Sequence, residues 1–559
     1  MKKKLTAILA VLLAVLLLCG SASPNAFEKT EVHFNDMEYE RPDAEAFQAL
    51  ADQVIQMLEE AAGYRRTVEK LGALFEDYIS AETMLTLADI HSCQDLTDDY
   101  WAEEYIECLS VLTSIQKTME DVFLACGACP YGARLEREFF GDGFMAEYGE
   151  DAESMLSEEY VRLSEQENAL IAEYRELQAE PTITLSGKEM SIYDMFYAAE
   201  TEEEIKAVYR FYYSKFNPLF GDLYLRLMEV RKAQAAELDY DSYADMMYDI
   251  GFDRDFTIED GHAFIESVKT CLLPVYSRYM DFARQGELLE TYVEEDELYR
   301  ALEAVAHGLG GEIEQAHDFM LRNGLCDLAM SDTKANMSFQ TYLDWYDAPF
   351  LFANPYGDMD DIITVTHEFG HYAEAYISYG AYRSIDLAEV FSQTMQFLAL
   401  KQLGDALGAD GVEKLRQLNL YNVLSTLVWQ SAYAEFEERA FAMAEPTVEK
   451  LNALMDEIGK EYGINDEGDP DFGRGWIDVT HFFEQPFYVI SYPVSACCAL
   501  EIYEHELADG TGLDDYLRLV DSEEIGLVGA AKEADLQNPV TDARVQDVAE
   551  FLEKQFAVK

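Results

Sequence analysis

Residues 367–371 read His-Glu-Phe-Gly-His. On a helix, positions i and i+4 lie one turn apart on one face, so His367 and His371 can grip a single zinc ion. Glu368, next to the first histidine, is placed to take a proton from a zinc-bound water. With only nine histidines in the chain, two at this spacing around a glutamate seldom arise by chance. Catalytic zinc ordinarily takes three protein ligands and a water. Glu374 lies one turn after His371, but one straight helix cannot easily wrap three ligands around a tetrahedron. Glu389 is the better third ligand. It opens what reads as the next helix, and the turn at Tyr379-Gly380-Ala381 lets that helix fold back beside the first.

The motif needs a helix, and the pattern supplies one. Ile362, Val365, Phe369, Ala373 and Tyr376 form an apolar stripe at helical spacing, and Ile363, His367, His371 and Glu374 share a neighbouring face. Asp358, Asp360 and Asp361 crowd its start, where carboxylates complement the exposed amides and the positive dipole end. Elsewhere the chain also reads as amphipathic helix: 44–80, 98–125, 151–178, and a second region from about 201 to 328. Thr182-Ile183-Thr184-Leu185 followed by Ser186-Gly187-Lys188 predicts a short hairpin. Residues 337–357 break the helical pattern, and Phe350-Leu351-Phe352-Ala353-Asn354 has strand character. Helices resume to the C-terminus, interrupted by a Gly/Asp/Pro-rich stretch at 463–475, and 13 prolines suit a mainly helical fold.

The ordered set of motifs resembles the thimet oligopeptidase and oligoendopeptidase F family of zinc metallopeptidases. Four segments carry the resemblance. They are Tyr346-Asp347-Ala348-Pro349-Phe350-Leu351-Phe352-Ala353-Asn354-Pro355-Tyr356-Gly357; Asp360-Asp361 with the HEFGH; Ala388-Glu389-Val390-Phe391-Ser392-Gln393; and His481-Phe482-Phe483 with Pro486-Phe487-Tyr488. A weaker echo at Val230-Arg231-Lys232 through Asp239-Tyr240 extends it over roughly residues 180–500. The resemblance implies one zinc ion held by His367, His371 and Glu389. It makes Glu368 the general base and then the proton donor to the leaving amine. His481 and a following tyrosine, Tyr492 first and Tyr488 second, would donate hydrogen bonds to the oxyanion. Pro493 follows Tyr492 and biases it away from helical backbone. Gln396 stands where family members tend to carry a second glutamate, and its amide can keep a hydrogen bond to the site without the charge.

The implied fold is mainly α: a helical ellipsoid of two lobes around a deep substrate channel, with a small β element beside the zinc site. The expected organisation is an N-terminal helical domain at about 30–195 and a catalytic domain at 196–559. The implied activity is hydrolysis of internal bonds in short peptides. Two alternatives stay open. One is an aminopeptidase or carboxypeptidase on a related zinc scaffold, although no Gly-x-Met-Glu-Asn segment is present to hold a free amino group. The other is a catalytically silent surface peptide-binding protein, against which the intact His367, Glu368, His371 and Glu389 speak.

Composition bounds the rest. A formal charge of −69 argues against nucleic acid or an anionic membrane as a partner, since both would be repelled. Lys2, Lys3 and Lys4, an apolar run from Leu5 to Leu18, and small residues at Gly20–Ser23 have the order of an export signal over residues 1–23. Lipidation at Cys19 is the alternative to free secretion. No later segment reads as membrane-spanning. The other cysteines, including Cys126-x-x-Cys129 and Cys497-Cys498, read as ordinary thiols or one local bridge. Oligomeric state has no signature.

Overall fold

The computed structural model describes residues 29–140, 157–179, 182–185, 188–192, 195, 198–199, 201–465 and 471–557. The expected export signal, Cys19 and the Ser186-Gly187 turn lie outside these residues. In chain order, the elements used below are α1 (Ala44–Glu59), α2 (Tyr64–Gln94), α3 (Asp99–Ala128), α4 (Glu158–Ala179), β1 (Thr182–Leu185), β2 (Lys188–Ser191), α5 (Glu202–Glu237), α6 (Glu295–Leu309), α7 (Gly311–Arg322), β3 (Cys326–Asp327), β4 (Ser338–Leu343), β5 (Ala348–Ala353), α8 (Asp360–Ser378), α9 (Ile385–Leu400), α10 (Gly404–Phe441), α11 (Val448–Glu461), α12 (Thr480–Glu484) and α13 (Ser491–Ala508). The fold is mainly α, as the periodicity requires. No described helix is long and apolar enough to cross a membrane.

Local chemistry sets the boundaries. The amphipathic stretch expected at 44–80 divides into α1 and α2 because Ala61 takes a positive φ of 48° and Gly63 opens the second helix. Asp43, Asp98 and Ser384 cap α1, α3 and α9 by accepting from backbone N–H groups of the first turn. Thr201 and Glu204 form a reciprocal capping box at the start of α5. The hairpin expected at 182–188 is present as an antiparallel pair, with Ile183 opposite Met190.

Chain contacts gather the molecule into two compact units. One comprises residues 1–152, 281–422 and 498–538, and the other 153–280, 423–497 and 539–559. In the first unit, α1, α2 and α3 close a core of Phe47, Val54, Leu71, Phe75, Ile115 and Phe123. A three-stranded sheet of order β3-β5-β4 follows, parallel between β3 and β5 and antiparallel between β4 and β5, with Phe339 opposite Phe352. Every residue of the central strand β5 is buried, which explains its unbroken apolar run. Helix α8 packs on β4 and β5, and α9 packs along α8, so the small β element does lie beside the HEFGH helix. The second unit pairs α4 with α5, and α11 with the 3-10 turn at Phe472–Asp478. That turn overlaps the end of the stretch at 463–475 expected to interrupt the helices. All eight described cysteines are free thiols.

Candidate metal centre

Helix α8 is fixed at its start before it presents any ligand. Asp361 accepts from the N–H groups of Tyr356 (2.9 Å), Gly357 (2.6 Å) and Asp358 (2.9 Å), which satisfies amides that the helix itself cannot. Asp360 accepts from the Asn422 side chain at 2.7 Å. The far end closes through Tyr379 and Gly380, both left-handed at φ 58° and 68°, and the chain turns back into α9. At Gly380 a side chain would be strained by the φ and would meet the Tyr342 ring 2.6 Å from where a Cβ would sit.

The two helices then meet at a glycine. A Cβ on Gly370 would lie 2.6 Å from both Phe391 O and Ser392 Cα, so α8 and α9 touch backbone to backbone inside the HEFGH motif. Tyr516 locks this contact by donating its hydroxyl to Gly370 O at 3.0 Å. The close approach brings Glu389 opposite the histidine pair. Nε2 of His367 lies 3.4 Å from Glu389 Oε2 and Nε2 of His371 lies 3.9 Å from it. All three ligand-type atoms fall within 4.8 Å of one another. Glu374, the rejected alternative, is engaged elsewhere, with Arg383 at 3.3 Å. Arg383 in turn donates to Val520 O and Ser522 O.

The surroundings orient these groups. The Gln396 amide sits 2.8 Å from Nδ1 of His367. For Nε2 to offer its lone pair to a metal, Nδ1 must carry the proton, and the Gln396 amide, whose nitrogen is placed toward Nδ1, must be turned over so that its oxygen accepts. Ser392 donates to Glu389 Oε2 at 3.1 Å. Burial pushes the Glu368 carboxyl up to about 7, with Glu389 adding to the rise and His367 opposing it. Burial drives His371 down to about 4 against the pull of Glu389, leaving it neutral. Burial also opposes charging His367, but its hydrogen bond to Glu389, with the charges of Glu389 and Glu368, raises it overall. Two imidazoles and a carboxylate at this spacing, one imidazole held neutral, suit a borderline divalent metal such as zinc.

The second unit assembles the other expected residues. Tyr492 Oη lies 3.4 Å from Nε2 of His481, and the His481 ring stacks on Tyr488 with centroids 4.6 Å apart and planes 2° from parallel. Tyr492 belongs to the first turn of α13, although Pro493 biases the residue before it away from helical backbone. In that turn the missing proline N–H has no helical partner to lose. Sequence reasoning missed what holds this segment. Phe487, at φ 66°, donates its N–H to Glu437 Oε1 at 2.8 Å. Arg254 donates to Phe487 O and to Ser491 Oγ, both at 2.9 Å. Arg231 donates to Phe482 O at 3.0 Å and is paired with Glu167 at 2.7 Å. Their partners lie far off in sequence, so only Arg231, inside the weak Val230-Arg231-Lys232 echo, carried any signal.

Fold and site together define a mainly helical protein with an H-E-x-x-H pair completed by a glutamate from the following helix. Comparison with known proteins agrees. A family model described as Peptidase family M3 matches residues 312–520, and one described as Peptidase M3 N-terminal domain matches 34–147. Oligopeptidase PepF of Bacillus subtilis (strain 168) is 25% identical over 427 residues, covering 66% of this chain and 62% of the relative. The chromosomal oligoendopeptidase F of Lactococcus lactis subsp. cremoris is 31% identical over 187 residues, covering 30% of this chain and 31% of the relative. The matches thus span less than two thirds of these relatives' lengths. Among solved structures, PZ peptidase A with an inhibitor superposes with a TM-score of 0.77 at 22% identity, covering 94% of this chain and 99% of that one. Oligoendopeptidase F from Enterococcus faecium gives 0.58 at 16% identity, covering 92% and 97%. The chain belongs to peptidase family M3.

Proposed function

We propose that the chain is a zinc-dependent oligopeptidase that hydrolyses internal bonds of short peptides. The observation that carries this reading is the convergence of His367, His371 and Glu389, with the buried carboxyl of Glu368 beside them. The names of the relatives, oligopeptidase and oligoendopeptidase F, support the substrate class. A zinc ion held by the three ligands would supply Lewis acidity, lowering the pKa of a water and polarising the scissile carbonyl. Glu368 takes the proton of the attacking water and hands it to the leaving amine. Its raised affinity for protons, at a pKa of about 7 before any cation is near, makes it a base that can also give the proton back. Gln396 holds the tautomer and direction of His367. By family resemblance, His481 and Tyr492, with Tyr488 as the second tyrosine, donate hydrogen bonds to the oxyanion. The organisation into an N-terminal helical domain at about 30–195 and a catalytic domain at 196–559 belongs to the same reading. So does export directed by residues 1–23, either as a free protein or one anchored at Cys19.

The test is mass spectrometry of a mixed set of short and long peptides after incubation with zinc-loaded protein lacking residues 1–23. Internal cuts confined to short peptides are expected. Stepwise loss from one end would replace this reading with an exopeptidase, and no cleavage by folded, zinc-bound protein would favour a silent peptide-binding protein. Glu389→Ala should lower retained zinc, and unchanged metal content would move the third ligand elsewhere.

A further inference from the structure

A second group of metal-ligating side chains lies on the α6–α7 hairpin of the first unit. Gly310 and Gly311, at φ 70° and 59°, reverse the chain there. The reversal sets His307, in the last turn of α6, against His317 and Asp318 of α7, and their ligand-type atoms all lie within 4.8 Å of one another. Glu314, one turn before Asp318, is 3.8 Å from Nε2 of His307.

His317 is the anomaly. It is 2% exposed, and neither ring nitrogen has a hydrogen-bond partner. Asp318 Oδ1 stands 3.9 Å from its Nδ1, beyond hydrogen-bonding reach. A neutral imidazole carries one N–H and one lone pair, and buried polar atoms of this kind are almost always satisfied. An ordinary core histidine would have found a backbone carbonyl or a hydroxyl. This one faces a second imidazole and a carboxylate instead.

We propose that His307, His317 and Asp318, with Glu314 alongside, form a second divalent transition-metal site, of which zinc is the natural occupant. Two imidazoles select such ions over calcium and magnesium, which prefer all-oxygen shells. Tetrahedral zinc would hold neighbouring ligand atoms roughly 3.3–3.5 Å apart, so the group must contract from its present spread. The side chains of His307 and Asp318 are 49% and 55% exposed and can turn inward, while His317 is fixed. The ring of His317 meets Phe369, the middle residue of the HEFGH motif, edge to face with centroids 6.1 Å apart. A metal here would tie α6 to α7 and fix the His317 ring that packs on Phe369 of α8. This inference does not depend on the peptidase reading, because a chain without turnover could still bind both ions.

The test is calorimetric titration of zinc into the zinc-loaded protein, with millimolar calcium present to occupy the exposed carboxylates. A further event of one zinc per chain at micromolar affinity is expected, weakened at least about tenfold in His307→Ala and, to a smaller degree, in Asp318→Asn. His307 is exposed, so that variant should fold normally, which circular dichroism checks. Copper added in place of the further zinc should show spin-resonance splitting from two imidazole nitrogens, and from one in His307→Ala. A wild type without the further event overturns the proposal. So does a further event that His307→Ala retains, since the metal would then sit elsewhere on the acidic surface.

Discussion

The His367–His371–Glu389 cluster and the His481–Tyr488–Tyr492 cluster are built in opposite ways. In the first, long helices touch backbone to backbone at Gly370, and every ligand sits on a regular element. In the second, His481 sits on a one-turn helix, Tyr488 follows Phe487 at positive φ, and only Tyr492 belongs to a long helix, while buried Arg231, Arg254 and Glu437 pin the backbone between them. Metal ligands tolerate displacements of only a few tenths of an ångström. Hydrogen-bond donors to a developing charge have a wider range of useful distances. The contrast teaches that rigidity comes from helix packing where geometry is strict, and from buried charged side chains bonded to the main chain where an irregular backbone is needed.

The sharpest break of this comparison is Glu368→Gln, which should cost about 10²–10⁴ in kcat while metal content is unchanged. Turnover at the normal rate would sink the general-base role. Next is Tyr492→Phe, expected to lower kcat by about 10²–10³ if its hydroxyl serves the oxyanion. Tyr488→Phe should stay near wild type, and the reverse ranking would exchange their roles. Gln396→Leu should weaken metal retention by about 10–100-fold, measured by competition with a chelator, because His367 loses the group that fixes its tautomer. An unchanged affinity would show that helix packing alone orients the imidazole.

The smallest effect concerns pH. Burial pushes Glu437 up to about 8, above its ordinary value of 4.5. An acid that binds its proton more tightly when folded stabilises most below the ordinary value and loses that contribution as pH rises through 8. Relative to wild type, Glu437→Gln should therefore gain stability between pH 5 and 9, read from paired denaturation curves. A constant difference would mean that Arg231 and Arg254 already keep the carboxylate ionised.

What the sequence disclosed follows from the range of the interactions. His367, Glu368 and His371 are legible because i,i+4 spacing on one helix is local. Glu389 was separable from Glu374 because a glycine turn between two helical patterns implies an antiparallel return. Gln396 was legible as a departure at a known position. The backbone of Tyr492 was misjudged because proline in a first helical turn behaves unlike proline in a strand. Arg254 and Glu437 were opaque and Arg231 only faintly marked, since nothing local marks a charge whose partner lies 50 to 251 residues away. His307 and His317 escaped for a related reason: a hairpin, not a helical spacing, brings them together.

Gly370 gives the metal centre an unusual kind of adjustability. The distance between the histidine pair and Glu389 is set by two main chains in contact, not by the reach of any ligand. A single added methyl group would act as a shim, widening the bite of the site while leaving every donor residue unchanged. Ion preference in this scaffold can therefore drift without any change in the residues that touch the ion.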